Sequence, residues 1–123
     1  MSYAPISMKQ GDSIAAYRIV RLTSADTVAL CTAATDFPLG VTQDNANAAN
    51  QRVPVAIAGI ARVYCNDSIA AGGLVQSDAS GRAVPAVATT AGVYAVGVLL
   101  GPKVNATGAI AEILVQPFQL QIP

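Results

Sequence analysis

An internal repeat constrains the fold of this 123-residue chain more than any other feature of its sequence. Residues 12–16 read Asp-Ser-Ile-Ala-Ala, and the same five residues recur 55 positions later at 67–71. Further along, Leu-Gly-Val at 39–41 is matched 57 positions later by Val-Gly-Val at 96–98. Because the matched segments follow one another in the same order, the pattern predicts a duplicated structural unit.

The positions of the glycines within the repeat extend the match. Val53 lies 13 residues after Gly40, and Ile110 lies 13 residues after Gly97, and each of the two opens an apolar run. We therefore predict that Gly40 is equivalent to Gly97 and Val53 to Ile110. The two units cover about 11–65 and 66–116.

Each unit has the pattern of short β-strands. Ile19 to Leu22 is rich in β-branched residues, and the turn-forming segment 78–81 ends in a glycine between two short apolar runs. Residues 52–65 show the best alternation in the chain, interrupted at Gly59, and Val53, Val55 and Ile57 are predicted to share one face. The chain is therefore predicted to be all-β, a small barrel or sandwich of short strands built from two repeated units.

The two ends of the chain show no strand period. Residues 1–10 and 117–123 are predicted to be extended arms, an N-terminal arm and a C-terminal tail, on either side of a single β domain of residues 11–116. Both arms carry apolar side chains that are candidates for contact with partner molecules: Tyr3, Ile6, Met8, Phe118, Leu120 and Ile122.

The charge composition limits the partners that the chain can have. Seven basic and seven acidic residues give a net charge of zero, and only 11% of the residues are charged. Direct nucleic-acid binding requires an excess of Lys and Arg, which is missing. No apolar run approaches the length of a membrane span. A weakly charged surface is poorly soluble unless covered, so we expect a homo-oligomer, a trimer in preference to a dimer.

Residues that could support catalysis are scarce. The chain has no His, and its only lysines are Lys9 and Lys103, so no nucleophile lies near a recognisable base. The repeat-equivalent Asp12 and Asp67 could form a carboxylate pair, but an Asp before Ser-Ile is typical of a turn or cap. We therefore expect no enzyme activity, no catalytic residue, no metal site and no cofactor. For the two cysteines, free and partly buried thiols are favoured over a disulfide.

Several short motifs rich in Gly, Ala and Val follow one another along residues 8–116. They are Lys9 to Ile14, Leu39 to Val41, Val53 to Val63, Ile69 to Val75, Asp78 to Pro85 and Val96 to Leu100. In order and spacing the chain resembles the small capsid cement, or head decoration, proteins of tailed bacteriophages.

The resemblance implies a structural virion protein rather than an enzyme. Proteins of this kind are made in the host cytoplasm and sit as homo-oligomers on the outer surface of the capsid. There they bridge neighbouring subunits of the major capsid protein and stabilise the head against internal DNA pressure. The alternative is another β-structured phage structural protein, such as a tail or baseplate subunit.

Overall fold

The structure, a computed structural model, describes residues 3–10, 14–25, 27–33, 36–45, 51–69, 72–86, 94–101 and 108–119. Within these residues the regular structure is all β, as predicted, and no helix is long and apolar enough to cross a membrane. The strands are β1 (Tyr3–Gln10), β2 (Ile19–Ser24), β3 (Thr27–Leu30), β4 (Gly40–Thr42), β5 (Arg52–Tyr64), β6 (Leu74–Ser77), β7 (Ala83–Pro85), β8 (Tyr94–Gly101) and β9 (Ile110–Gln119).

The strands form a closed five-stranded barrel and a second ring with the same strand plan, which one isolated bridge closes and which we call the second barrel. In the first barrel the order is β1-β3-β2-β4-β5, and β5 closes the ring by pairing with β1. In the second barrel the order is β5-β9-β8-β6-β7, and a single parallel bridge from Cys65 to Ala83 brings β7 back to the end of β5. The long strand β5 is thus a member of both rings.

Strand β5 changes neighbours at Gly59. Before this residue β5 pairs with β1 and β4, and from it onward β5 pairs with β9. Gly59 itself pairs with Tyr3 on one edge and with Val115 on the other. Its backbone φ of 81° is one that residues other than glycine rarely adopt. The two barrels therefore join within one continuous strand.

The pairing registers confirm that Gly40 is equivalent to Gly97. Val20 pairs with Gly40 in the first barrel, and Val75 pairs with Gly97 in the second. Backbone hydrogen bonds repeat in the same way. Thr42 N–H donates to the carbonyl of Arg18 over 2.8 Å, and Leu99 N–H donates to Gly73 over 2.9 Å. Both glycines lie against a backbone carbonyl of the next strand, which leaves no room for a Cβ atom.

The predicted equivalence of Val53 and Ile110 is off by one residue. Val53 is 3% exposed and Ile110 is 39% exposed, whereas the neighbouring Ala111 is 1% exposed. Met8 pairs with Val53, and Val63 pairs with Ala111, so Ala111 is the counterpart of Val53. Since side chains alternate along a strand, the one-residue slip moves Ile110 to the opposite face.

The N-terminal segment is a paired strand rather than a free arm. Residues of β1 pair with β5 from Tyr3 to Lys9, and the second half of β5 takes the place of β1 in the second barrel. The pairing thus places the counterpart of β1 inside β5. Met8, expected to contact a partner, is only 7% exposed and packs in the core with Ile14.

The core consists of two clusters. One fills the first barrel and includes Met8, Ile14, Val20, Val28 and Val55. The other fills the second barrel and extends onto the outside of the first, where it includes three fully buried residues of one cross-strand row: Ile19, Val41 and Ala56. The second barrel therefore shares its core with one face of the first.

Both cysteines are free and buried, and this predicts how stability depends on pH. Burial, with a smaller contribution from the carboxylate of Asp36, raises the pKa of the Cys31 thiol from 9.0 to about 12. Between about pH 9 and 12 the unfolded chain loses a proton that the folded chain keeps. The free energy of unfolding should therefore fall by about 1.4 kcal/mol per pH unit from this group alone.

We expect urea unfolding at pH 8 and pH 10.5 to show this loss in the natural protein and a smaller loss in Cys31→Val. The difference between the two proteins in this pH-dependent loss of stability is the contribution of Cys31, separate from the other groups that titrate in this range. An identical pH dependence in both would contradict the assignment.

Candidate interaction surface

The outer face of the second barrel carries a row of aliphatic side chains across four strands. The row follows the pairs Ile60–Leu114, Leu114–Val98 and Val98–Leu74 across β5, β9, β8 and β6. Leu74 and Leu114 are 37% and 36% exposed, and Ile60 and Val98 are partly exposed. We call these four residues the aliphatic row.

The counterpart of the aliphatic row in the first barrel is buried. Ile19, Val41 and Ala56 occupy the positions of Leu74, Val98 and Leu114, and none of the three is exposed to solvent. The turn between β6 and β7 lies against this face, where Ile19 N–H donates to the carbonyl of Gly81 over 2.7 Å. The same position in the repeated unit is thus core in the first barrel and surface in the second.

A pair of opposite charges lies beside the aliphatic row on the same face. Arg62 of β5 is directly opposite Glu112 of β9. Within the described residues the side chains of Arg62 and Glu112 form no ion pair, in contrast to Arg82 and Asp78, which lie 3.0 Å apart. Both charges are therefore available to a partner.

A concave site adjoins these charges. Tyr17, Arg62, Ile110 and Glu112 line a cavity of about 430 Å³. Tyr17 has a φ of 64°, whereas its counterpart in the second unit is a glycine with a φ of 82°. A tyrosine in this region is strained, so its backbone must be held there by its surroundings. Two hydrogen bonds fix its backbone, to Thr42 over 2.7 Å and from Tyr64 over 2.9 Å.

The neighbouring Arg18 stacks on an aromatic ring. Its guanidinium carbon lies 4.1 Å from the centre of the Tyr64 ring, and its Nη1 donates to the carbonyl of Ala16 over 3.2 Å. Partial burial lowers the pKa of Arg18. Arginine and tyrosine residues are enriched where proteins bind one another tightly.

A second apolar surface lies around Phe37, which is 61% exposed. Its ring stacks on Tyr94 with ring centres 5.1 Å apart and planes 17° from parallel. Phe37 also lines a shallow cavity of about 230 Å³ with Leu22 and Leu39. We call Leu22, Phe37, Leu39 and Tyr94 the Phe37 patch.

The structure describes only part of the contact residues predicted from the sequence. The backbones of Tyr3 and Ile6 are in β1 and that of Phe118 is in β9, while Leu120 and Ile122 lie outside the described residues. The aliphatic row and the Phe37 patch were not predicted, because a strand pattern gives alternation but not which face is covered. Comparison of the two repeat units could have drawn attention to Leu74 and Leu114.

Of the two aspartates considered as a carboxylate pair, Asp12 and Asp67, only Asp67 is among the described residues, and its side chain stabilises a turn. Asp67 accepts a hydrogen bond from the backbone N–H of Ser68 over 2.7 Å, as expected of a turn, and Asp12 lies outside the described residues. Among the described residues no group of three or more His, Cys, Asp or Glu side chains is arranged to hold a metal ion.

Comparison with known protein families identifies the relatives of this chain. A family model described as phage cement protein matches residues 4–116. The chain belongs to the phage cement protein family. Its fold is similar to that of the head fiber gp8.5 N base in bacteriophage phi29, with a TM-score of 0.71 and 15% identity. The match covers 98% of this chain and 100% of that one. A search of curated proteins found no match.

Membership of the phage cement protein family gives the chain a structural role associated with the capsid. The head-fiber base shares its fold, which is the extent of what 15% identity shows. For a cement protein, the exposed apolar surfaces described above are the candidates for contact with other virion subunits.

Proposed function

We propose that this protein decorates the outside of a phage head and bridges neighbouring subunits of the major capsid protein, so that the shell resists the pressure of packaged DNA. The observation that carries the proposal is the presence of two separate apolar surfaces, the aliphatic row and the Phe37 patch, on one small neutral chain. A bridging protein needs at least two contact surfaces. The proposed role is structural and needs no cofactor, nucleic acid or membrane.

The energetics of such contacts suit a protein present in many copies. Each surface is small, so one copy alone should bind weakly. Copies joined as a homo-oligomer bind more tightly, because the first contact raises the effective concentration of the others on a repetitive shell. Because the contacts are apolar and the net charge is zero, added salt should weaken capsid binding little. We retain a trimer as the expected oligomer and a dimer as its alternative.

The C-terminal residues are a further contact in this proposal. The pairing of β9 with β5 ends at Val115, while its pairing with β8 continues to Gln119. An extended segment here can add to a neighbouring subunit as an edge strand, with Phe118, Leu120 and Ile122 filling pockets. Tyr3 and Ile6 of β1 remain candidates for the same partner.

Deleting residues 120–123 should leave the barrels folded and lower capsid occupancy several-fold, because the deletion starts beyond β9. Co-sedimentation of the full chain and the truncation with undecorated capsids measures occupancy, and circular dichroism checks the fold. Deleting residues 1–8 would not separate a loss of capsid contact from a loss of fold, since it removes most of β1 and opens the first barrel.

Two results would count against these proposals. Equal occupancy by both proteins would show that the tail is not a clamp. Failure of the full chain to bind capsids, with binding to purified tails instead, would overturn the capsid role and favour the tail or baseplate alternative.

A further inference from the structure

We propose that the cavity lined by Tyr17, Arg62, Ile110 and Glu112 receives a surface segment of the major capsid protein, with Tyr17 as the central contact. This segment carries a basic side chain that meets Tyr17 and Glu112, and an acidic side chain that meets Arg62. The inference deepens the proposed function and rests on it for the identity of the partner. It names the site of one contact and the chemistry that the site recognises.

The same turn occurs once in each repeat unit, and in both units it has a left-handed backbone. The N–H of Tyr17 donates to the carbonyl of Thr42 over 2.7 Å, and the N–H of Gly72 donates to that of Leu99 over 2.7 Å. The φ angles are 64° at Tyr17 and 82° at Gly72, and glycine adopts such an angle without strain. An added Cβ at Gly72 would meet no atom within 4 Å, so the turn itself needs no side chain at this position.

A tyrosine at this position therefore costs folding free energy that a glycine would not. Within the described residues the Tyr17 ring stacks on no other ring, and its hydroxyl forms no hydrogen bond. The side chain instead lines the cavity with Ile110, which is 39% exposed. Backbone strain without a polar or aromatic contact inside the chain is typical of residues that contact a partner. The tyrosine is thus retained for a contact outside the chain.

The two charges in the cavity limit which partners fit it. Arg62 of β5 and Glu112 of β9 are cross-strand neighbours, and within the described residues their side chains form no ion pair. A partner of one sign, such as a phosphate group or a metal cation, would be attracted by one of them and repelled by the other. A protein segment with one acidic and one basic side chain satisfies both. Since cross-strand side chains lie about 5 Å apart, the two partner charges occupy neighbouring positions on that segment.

Tyr17 and Glu112 together suit a basic side chain, and arginine in particular. The face of a tyrosine ring attracts a guanidinium ion, and a carboxylate binds the same ion through two parallel hydrogen bonds. Arg62 offers the equivalent forked geometry to a carboxylate of the partner. The cavity of about 430 Å³ lies in the size range of sites that enclose a bound group. Tyrosine and arginine are also the residue types that often dominate the binding energy of protein contacts.

Tyr17→Gly tests the fold and the contact separately. Relief of the strain should offset the greater freedom of glycine in the unfolded chain, so the urea midpoint of unfolding should equal or exceed that of the natural protein. The apparent dissociation constant for undecorated capsids, measured by co-sedimentation, should rise about tenfold or more. Gly72→Ala, at the equivalent position, is the control for strain and should lower the urea midpoint, because its Cβ meets open space and only the backbone angle opposes it.

Exchange of the two charges tests whether the partner recognises their arrangement. The double variant Arg62→Glu with Glu112→Arg keeps the net charge and keeps opposite charges on the two neighbouring strands. Its circular dichroism spectrum and urea midpoint should therefore match those of the natural protein. Each charge now meets a partner side chain of its own sign, so the apparent dissociation constant for capsids should rise about tenfold or more. A purely structural role of the pair would leave capsid binding unchanged.

The natural protein in the same assay separates this inference from the proposed function. Capsid binding by Tyr17→Gly or by the double charge exchange that equals natural binding would overturn the inference and leave the capsid role intact. A urea midpoint of Tyr17→Gly below the natural value would also overturn it, because the tyrosine would then be retained for the fold. A natural protein that binds no capsids would overturn the proposed function, and with it the partner named for this cavity.

Discussion

Replacing Gly97 with alanine is expected to lower the free energy of unfolding by about 3 kcal/mol or more. An added Cβ would lie 1.8 Å from the carbonyl oxygen of Leu114 and 2.9 Å from its carbonyl carbon. Because both atoms belong to the backbone, β8 and β9 must separate to admit the methyl group, which weakens the pairing between them. Urea unfolding followed by circular dichroism measures the change.

The repeat provides both a matched substitution and a control for this prediction. Gly40→Ala should have a similar effect, because its Cβ would lie 2.1 Å from the carbonyl oxygen of Ala56. Val98→Ala, next to Gly97 but partly exposed, should cost less than about 1 kcal/mol. A Gly97→Ala protein as stable as Val98→Ala would contradict the close approach of the two strands.

The second large effect concerns one repeat position in its two environments. Ile19→Ala should destabilise the protein by about 2–5 kcal/mol, because the side chain is fully buried where the two barrels meet. Leu74→Ala, at the equivalent position, should cost about 1 kcal/mol, since this side chain is 37% exposed. Thermal and urea unfolding of the two variants give the comparison.

The two variants should also differ in capsid binding. Leu74→Ala removes part of the aliphatic row, so it should lower capsid occupancy while leaving the fold nearly as stable. Equal destabilisation by Ile19→Ala and Leu74→Ala would show that the aliphatic row is covered within the chain, in conflict with its exposure.

The repeat and the all-β fold could be predicted because they depend on local sequence. Val20 and Val75 are 55 residues apart, Gly40 and Gly97 are 57 apart, and each member of a pair occupies the same place in its barrel. The offset between Val53 and its counterpart Ala111 was harder to predict. An irregularity between Leu99 and Gly101 in the pairing of β8 with β9 adds one further residue before Ala111, and no signal in the sequence marks that slip.

Strand β1 was missed because its pattern is incomplete. Gln10 is fully buried, its Nε2 donates to the carbonyl of Met8 over 3.2 Å, and its Oε1 has no hydrogen-bond partner among the described residues. A buried glutamine and a proline at position 5 hide the alternation that Ser7 and Met8 follow. The counterpart of Gln10 in the second unit is Cys65, an ordinary core residue.

The candidate surfaces were less predictable than the fold. Local sequence predicts that Leu74 and Leu114 lie on strands, but their exposure depends on which faces the second barrel covers. The terminal residues Tyr3, Ile6, Phe118, Leu120 and Ile122 are still predictions as contacts. Their apolar character was visible in the sequence, whereas strand β1, which contains Tyr3 and Ile6, was not predicted.

The continuity of β5 through both barrels has a mechanical consequence. A force that pulls the two barrels apart along this strand acts on an unbroken covalent chain, and not on a linker that could stretch first. The hydrogen bonds of β1 and β9 to β5 are then loaded in shear, many at once, which is the geometry in which β-strands resist force best. A protein that holds a pressurised shell together would in this way transmit tension from one contact to the next without a compliant joint between them.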